Sequence, residues 1–131
     1  MSWLDDNNNI LLAQKSLDYL WEKQRIISEN IANNDTPGYK AKMISFEDQL
    51  SKNLEEFRTQ AHPKKKEIRE AINNTRISVD TSEEESNRLD GNNVNLDVEQ
   101  MELLRAQLQY QYQIHQINDQ FTRLRTVIKG Q

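Results

Sequence analysis

The apolar positions of this chain gather at its two ends and recur at helical spacing. Near the N-terminus they are Ile10, Ala13, Leu17, Leu20, Ile27 and Ile31, separated by three and four residues in turn, with Gln24 in the one polar slot. That alternation is a heptad seam and predicts an amphipathic helix over 8–33. Any of Asn7, Asn8 or Asn9 can cap its start. Leu11, Leu12, Trp21 and Ile26 lie off the seam and widen the apolar face, and Trp21 reads equally as a core residue and as a contact to a second subunit. At the other end Leu96, Gln100, Leu103, Gln107, Tyr110, Ile114, Ile117, Phe121, Leu124 and Ile128 alternate in the same way. They predict a helix over 96–129, about 50 Å long at 1.5 Å per residue. Met101, Leu104, Leu108 and Tyr112 add a second apolar row to its first half. Asn95 or Asp97 can cap it, Asp97 with Gln100 as a capping box, and Gly130 ends it.

Between the two seams the pattern is weaker. Phe46, Leu50, Leu54 and Phe57 predict a short helix over 45–58, with Ser45 and Asp48 as its capping pair. Residues 61–66 have the composition of a linker, 66–73 admit one or two helical turns, and 76–80 alternate like a strand with no evident partner. Residues 82–90 carry Glu83, Glu84, Glu85 and Asp90 against Arg88 alone, the composition of a mobile acidic loop. Three regions follow: 1–58 with the first helix, a turn and a short helix; 59–93, a variable and mobile loop region; and 94–131 with the long C-terminal helix. The fold class is mainly α, an antiparallel coiled-coil bundle of the terminal helices with a partly disordered middle.

The sharpest local signal is the stop after the first helix, at Asn30, Ile31, Ala32, Asn33, Asn34, Asp35, Thr36, Pro37, Gly38, Tyr39 and Lys40. Asn and Asp side chains compete with helical hydrogen bonding. Pro37 disfavours helix at Thr36 and has no amide hydrogen to donate. Gly38 permits a positive φ. A second polar block, Asp90, Gly91, Asn92, Asn93, Val94, Asn95, Leu96, Asp97, Val98 and Glu99, precedes the long helix.

Composition makes a self-sufficient core hard to build. Only 35% of the 131 residues are hydrophobic, mean hydropathy is -0.94, and 14 Asn with 12 Gln make up about a fifth of the chain. Burial therefore rests on pairing the two ends and on neighbouring subunits. A net charge of -4 argues against bulk nucleic-acid binding, and the basic run Lys64-Lys65-Lys66, followed by Glu67 and Glu70, reads as a solvated loop. The chain has no cysteine, hence no thiol or disulfide chemistry. No apolar run approaches the roughly 18 residues of a membrane span. The polar, acidic N-terminus is unlike a secretory signal and, by itself, points to the cytoplasm.

No reactive constellation emerges, and no enzyme or cofactor is expected. His62 lies in a polar loop and His115 on a helix surface, neither with a partner at metal-ligand spacing. Three glycines cannot build a phosphate-cradling loop.

The Asn30-to-Lys40 run resembles the Ala-Asn-x-x-Thr-Pro-Gly-Tyr signature of the bacterial flagellar axial proteins, the rod and hook family. The block from Arg88 to Glu99 is similar to the one that precedes the C-terminal helix in the proximal-rod branch of that family. The resemblance covers both ends and leaves about 58–87 unmatched. Ala106 stands where relatives often carry Asn, so a polar contact common there is expected to be missing. The resemblance implies a structural subunit of the proximal rod, assembling helically with copies of itself, with other rod proteins and with the adaptor at the rod base, as part of a hollow drive shaft and export conduit. It also implies passage through the flagellar type III export apparatus without a cleaved signal peptide, and a place in the rod across the periplasm, which overrides the cytoplasmic reading. A cytoplasmic helical adaptor or export chaperone, binding another protein's amphipathic helix, is the competing reading.

Overall fold

In a computed structural model, residues 3–130 are described, with side chains from Asn8 onward. Among them four helices and one two-stranded sheet run in the order α1 (Trp3–Ala32), β1 (Lys42–Ser45), α2 (Glu47–Arg58), α3 (Lys65–Asn74), β2 (Ser78–Thr81) and α4 (Leu96–Lys129). α1 and α4 are the longest elements and pack against each other. The pairing is antiparallel: Asn30 meets Glu99, Lys23 meets Glu102, and Trp21 meets Tyr110.

α1 begins earlier than its apolar seam. The predicted caps fail because the Asn7–Asn9 run lies inside the helix backbone. Asn8 is instead buried, its amide donating to the Lys65 carbonyl at 3.2 Å and its oxygen accepting from Arg69 Nε. The Asn7 side chain lies outside the described residues. α4 has the predicted bounds. Asn95 Oδ1 accepts from Val98 N–H at 3.3 Å, and Gly130 closes the last turn. Asn95, not the Asp97–Gln100 pair, is therefore the cap.

The segment read as a loop region carries α3 and β2. β2 has the partner that its sequence did not reveal: it pairs antiparallel with β1, Lys42 opposite Thr81 and Ser45 opposite Ser78. Ser45 therefore does not cap α2. It ends β1, and its hydroxyl lies 2.7 Å from that of Ser78. Phe46 takes the capping position without a side-chain bond and is buried against Tyr19 and Leu20, its ring stacked on Tyr19 at 5.4 Å. The lysine run is not a loop: Lys65 opens α3. α3 buries Ile72, and Thr75 just after it accepts from Asn53 of α2.

The α1 seam faces inward: Ala13, Leu20 and Ile27 are buried, and Ile10, Leu17, Gln24 and Ile31 half-buried. Off the seam, Tyr19 and Ile26 are buried, while Trp21 remains largely exposed. In α4 the inward stripe is turned relative to the sequence seam. Leu103, Tyr110, Ile117 and Leu124 are half-buried as expected, but they alternate with Glu99, Ala106, Gln113 and Gln120. Gln100, Gln107, Ile114, Phe121 and Ile128 are exposed in the single chain, and Leu96 is half-buried. Ala106, on this inward stripe, is the fully buried residue of α4.

Candidate functional site

The two polar blocks, more than fifty residues apart, fold into one interlocked knot at the end of the α1–α4 pair. After Ala32 the chain turns tightly. Thr36 N–H donates to the Asn33 carbonyl at 3.1 Å and Tyr39 N–H to the Thr36 carbonyl at 3.2 Å. Gly38 has φ 73° and Gly91 φ 79°, conformations that a β-carbon disfavours. The two glycines lie side by side: a β-carbon placed on Gly91 would stand 3.6 Å from the Gly38 α-carbon. Gly38 N–H donates to the Asp90 carbonyl at 2.7 Å, and Lys40 Nζ to the Gly91 carbonyl at 2.6 Å.

Three asparagines complete the knot. Asn92 is fully buried; its amide donates to the Asn33 and Thr36 carbonyls at 2.8 and 2.9 Å, and its oxygen accepts from Val94 N–H. A side chain of the second block thereby gives a second hydrogen bond to two turn carbonyls that already accept from the Thr36 and Tyr39 amides. Asn93 accepts from Ala41 N–H at 2.7 Å and donates to the Glu84 carbonyl. Asn30 uses its whole capacity: Nδ2 donates to the Lys42 carbonyl at 2.9 Å and to Glu99 at 3.2 Å, and Oδ1 accepts from Lys42 N–H and from the Tyr39 hydroxyl. It joins α1, β1 and α4 at a single buried amide.

The remaining motif residues surround these contacts. Asn33 donates to the Glu29 carbonyl, Ile31 and Leu96 are half-buried, Val94 is buried, and Ala32, Thr36, Pro37 and Asp97 are exposed. Sequence reasoning missed Lys42, whose backbone serves Asn30 and whose ammonium pairs with Glu29. It also missed Ser82, buried with its N–H on the Ala41 carbonyl. Neither carries a local pattern; each is fixed by the β1–β2 register. The Lys42 hydrogen bond holds the Glu29 carboxyl below its ordinary range, helped by the charges of Lys42 and Arg25, with burial acting against them. Burial pushes the Glu99 carboxyl up, Asn30 opposes this and Glu102 adds to it.

Away from the knot, α4 presents apolar side chains that nothing in the single chain covers: Val98, Met101, Leu104, Leu108 and Tyr112 in its first half, with Val127 and Ile128 at its end. Among the described residues no helix is long and apolar enough to cross a membrane. A hydrogen-bonded polar knot, a long helical pair and uncovered apolar rows define a structural building block, a helical subunit suited to packing against others. Residues 21–40 match the family described as Flagella basal body rod protein. The chain is 38% identical to the flagellar basal body rod protein FlgB of Bacillus subtilis, over 82% of this chain and 83% of that one. It is 33% identical to FlgB of Buchnera aphidicola (89% and 91% covered) and 28% identical to FlgB of Escherichia coli (89% and 90%).

The chain belongs to the FlgB family of flagellar basal body rod proteins. It is a structural rod subunit of the bacterial flagellum, at the basal body, and not an enzyme. The adaptor reading falls with that membership.

Proposed function

We propose that this subunit polymerises as part of the proximal rod, with the knot fixing the geometry of the α1–α4 pair and the uncovered rows of α4 forming the subunit contacts. The two terminal helices act as an antiparallel coiled coil aligned near the rod axis. Its neighbours are further copies of itself, the next rod proteins and the adaptor at the rod base, in heterologous contacts that build a hollow shaft and export conduit. The subunit leaves through the type III export apparatus without a cleaved signal peptide and takes its place across the periplasm.

The observation that carries this reading is the row Met101, Leu104 and Leu108, each more than half exposed on a helix whose other face is already used by α1. Large apolar side chains so arranged over about two turns are covered in a working state. Leu104→Glu with Leu108→Glu tests it in a strain lacking the gene. The expected result is a folded, exported subunit that is not incorporated into rods, with loss of swimming. Normal motility would overturn the assignment of this row.

A further inference from the structure

Three carboxylates meet where α4 enters the knot, and they are not treated alike. Glu29 has Lys42 and Arg25 as partners. Glu102 has Lys23 at 3.5 Å and Arg105 at 3.2 Å. Glu99, between them on the α1-facing stripe, has no cation beside it among the described residues and holds only the Asn30 amide. That amide is shared, since the same nitrogen donates to the Lys42 carbonyl at a shorter distance. The groups that act on Glu99 are Asn30 from α1, Tyr39 from the chain after the turn, and Glu102 from α4. Lys23 and Lys42 are engaged by the other two carboxylates.

We propose that Glu99 is a charge-controlled catch on the α1–α4 junction: the ionised carboxylate loosens it, and neutralisation, by a proton or by a cation brought within reach, tightens it. The inference concerns the single chain and stands apart from the assembly reading above. An ionised carboxylate desolvated against a neighbour helix, without a cation, costs stability, whereas a neutral one of the same shape costs less. The folded chain therefore takes up a proton at Glu99 at a higher pH than the unfolded chain does, in agreement with the upward displacement of its pKa by burial and by Glu102. Stability then falls as pH rises above the ordinary glutamate range and through the folded value of Glu99. Glu29 works in the opposite sense, because its pKa is held down: its contribution is lost as pH falls below the ordinary range. The junction is accordingly tightest in mild acid and looser at neutral pH.

Urea denaturation of the full chain, followed by far-UV circular dichroism at a series of values from about pH 5 to about pH 7.5, tests this against ordinary glutamate behaviour. The native chain should lose midpoint steadily as pH rises. Glu99→Gln keeps an oxygen to accept from Asn30. It should abolish most of that loss and raise the midpoint at neutral pH, while Glu67→Gln on the exposed side of α3 leaves the profile as it was. An unchanged slope in Glu99→Gln, or a lower midpoint at neutral pH, would overturn the proposal.

Discussion

Replacing Asn30 by alanine removes a buried amide that makes four hydrogen bonds, and the cost can be reckoned partner by partner. The side chain is only 1% exposed, so water does not take over its place directly. Two of its partners, the Lys42 N–H and C=O, are backbone groups facing α1. Each buried backbone group left without a partner costs about 1–3 kcal/mol. The Tyr39 hydroxyl and the Glu99 carboxylate are half-buried and recover part of their hydration, so they add less. A total of about 2–6 kcal/mol follows, a large share of the ~5–15 kcal/mol typical of a whole domain. Asn30→Asp sharpens the test. It keeps an oxygen for Lys42 N–H and Tyr39, but turns the donor into a second carboxylate oxygen facing the Lys42 carbonyl and Glu99. It should be at least as damaging as alanine at neutral pH and recover in acid. Urea denaturation gives the stability, and hydrogen exchange at the Lys42 amide gives the local effect. An Asn30→Ala chain that loses less than about 1 kcal/mol, with Lys42 still protected, would refute the hub role.

Gly38→Val forces a β-branched residue to φ 73° and should cost about 1–2 kcal/mol through backbone strain alone, since nothing crowds a β-carbon there; motility of a complemented strain should fall with it, and Gly38→Asn should be milder. Ala106→Leu puts a larger side chain at a fully buried position of α4 and should cost about 1–3 kcal/mol in a denaturation midpoint measurement, with no compensating bond. Tyr19 has its pKa raised to about 12 by burial and then by Glu47, Glu102 and Asp48, so its contribution is intact below the ordinary tyrosine value near 10 and is lost as pH rises from there through about 12; Tyr19→Phe should flatten that alkaline loss.

The long helices were legible because their residues repeat at helical spacing and because capping chemistry marks the ends of α4. The Asn-rich start of α1 misled because a run of asparagines is as good a cap as it is a buried bonding group, and only the position of α3 makes Asn8 the second. The strand pair was hidden because β1 and β2 are four residues each and find each other across more than thirty residues. Both motifs of the knot could be named from the sequence, but not that they bind one another, since the bonds of Asn92 to Asn33 and Thr36 depend on the antiparallel return of the chain. The rotation of α4 was illegible for a similar reason: its apolar surface is wider than one helix can cover. The stripe that α1 takes is the one that carries Ala106 and Glu99, the partner of Asn30.

Because this chain contains no cysteine, an introduced cysteine is the one thiol of the subunit. The measurement that bears most directly on the central claim is thiol labelling of Leu104→Cys and Leu108→Cys, carried out on the purified free subunit and on purified basal bodies, with Glu67→Cys as a reference exposed position. The account predicts rapid labelling of both α4 positions in the free subunit and their protection in the basal body. Labelling of Leu104→Cys and Leu108→Cys in intact rods at the rate of the free subunit would contradict it.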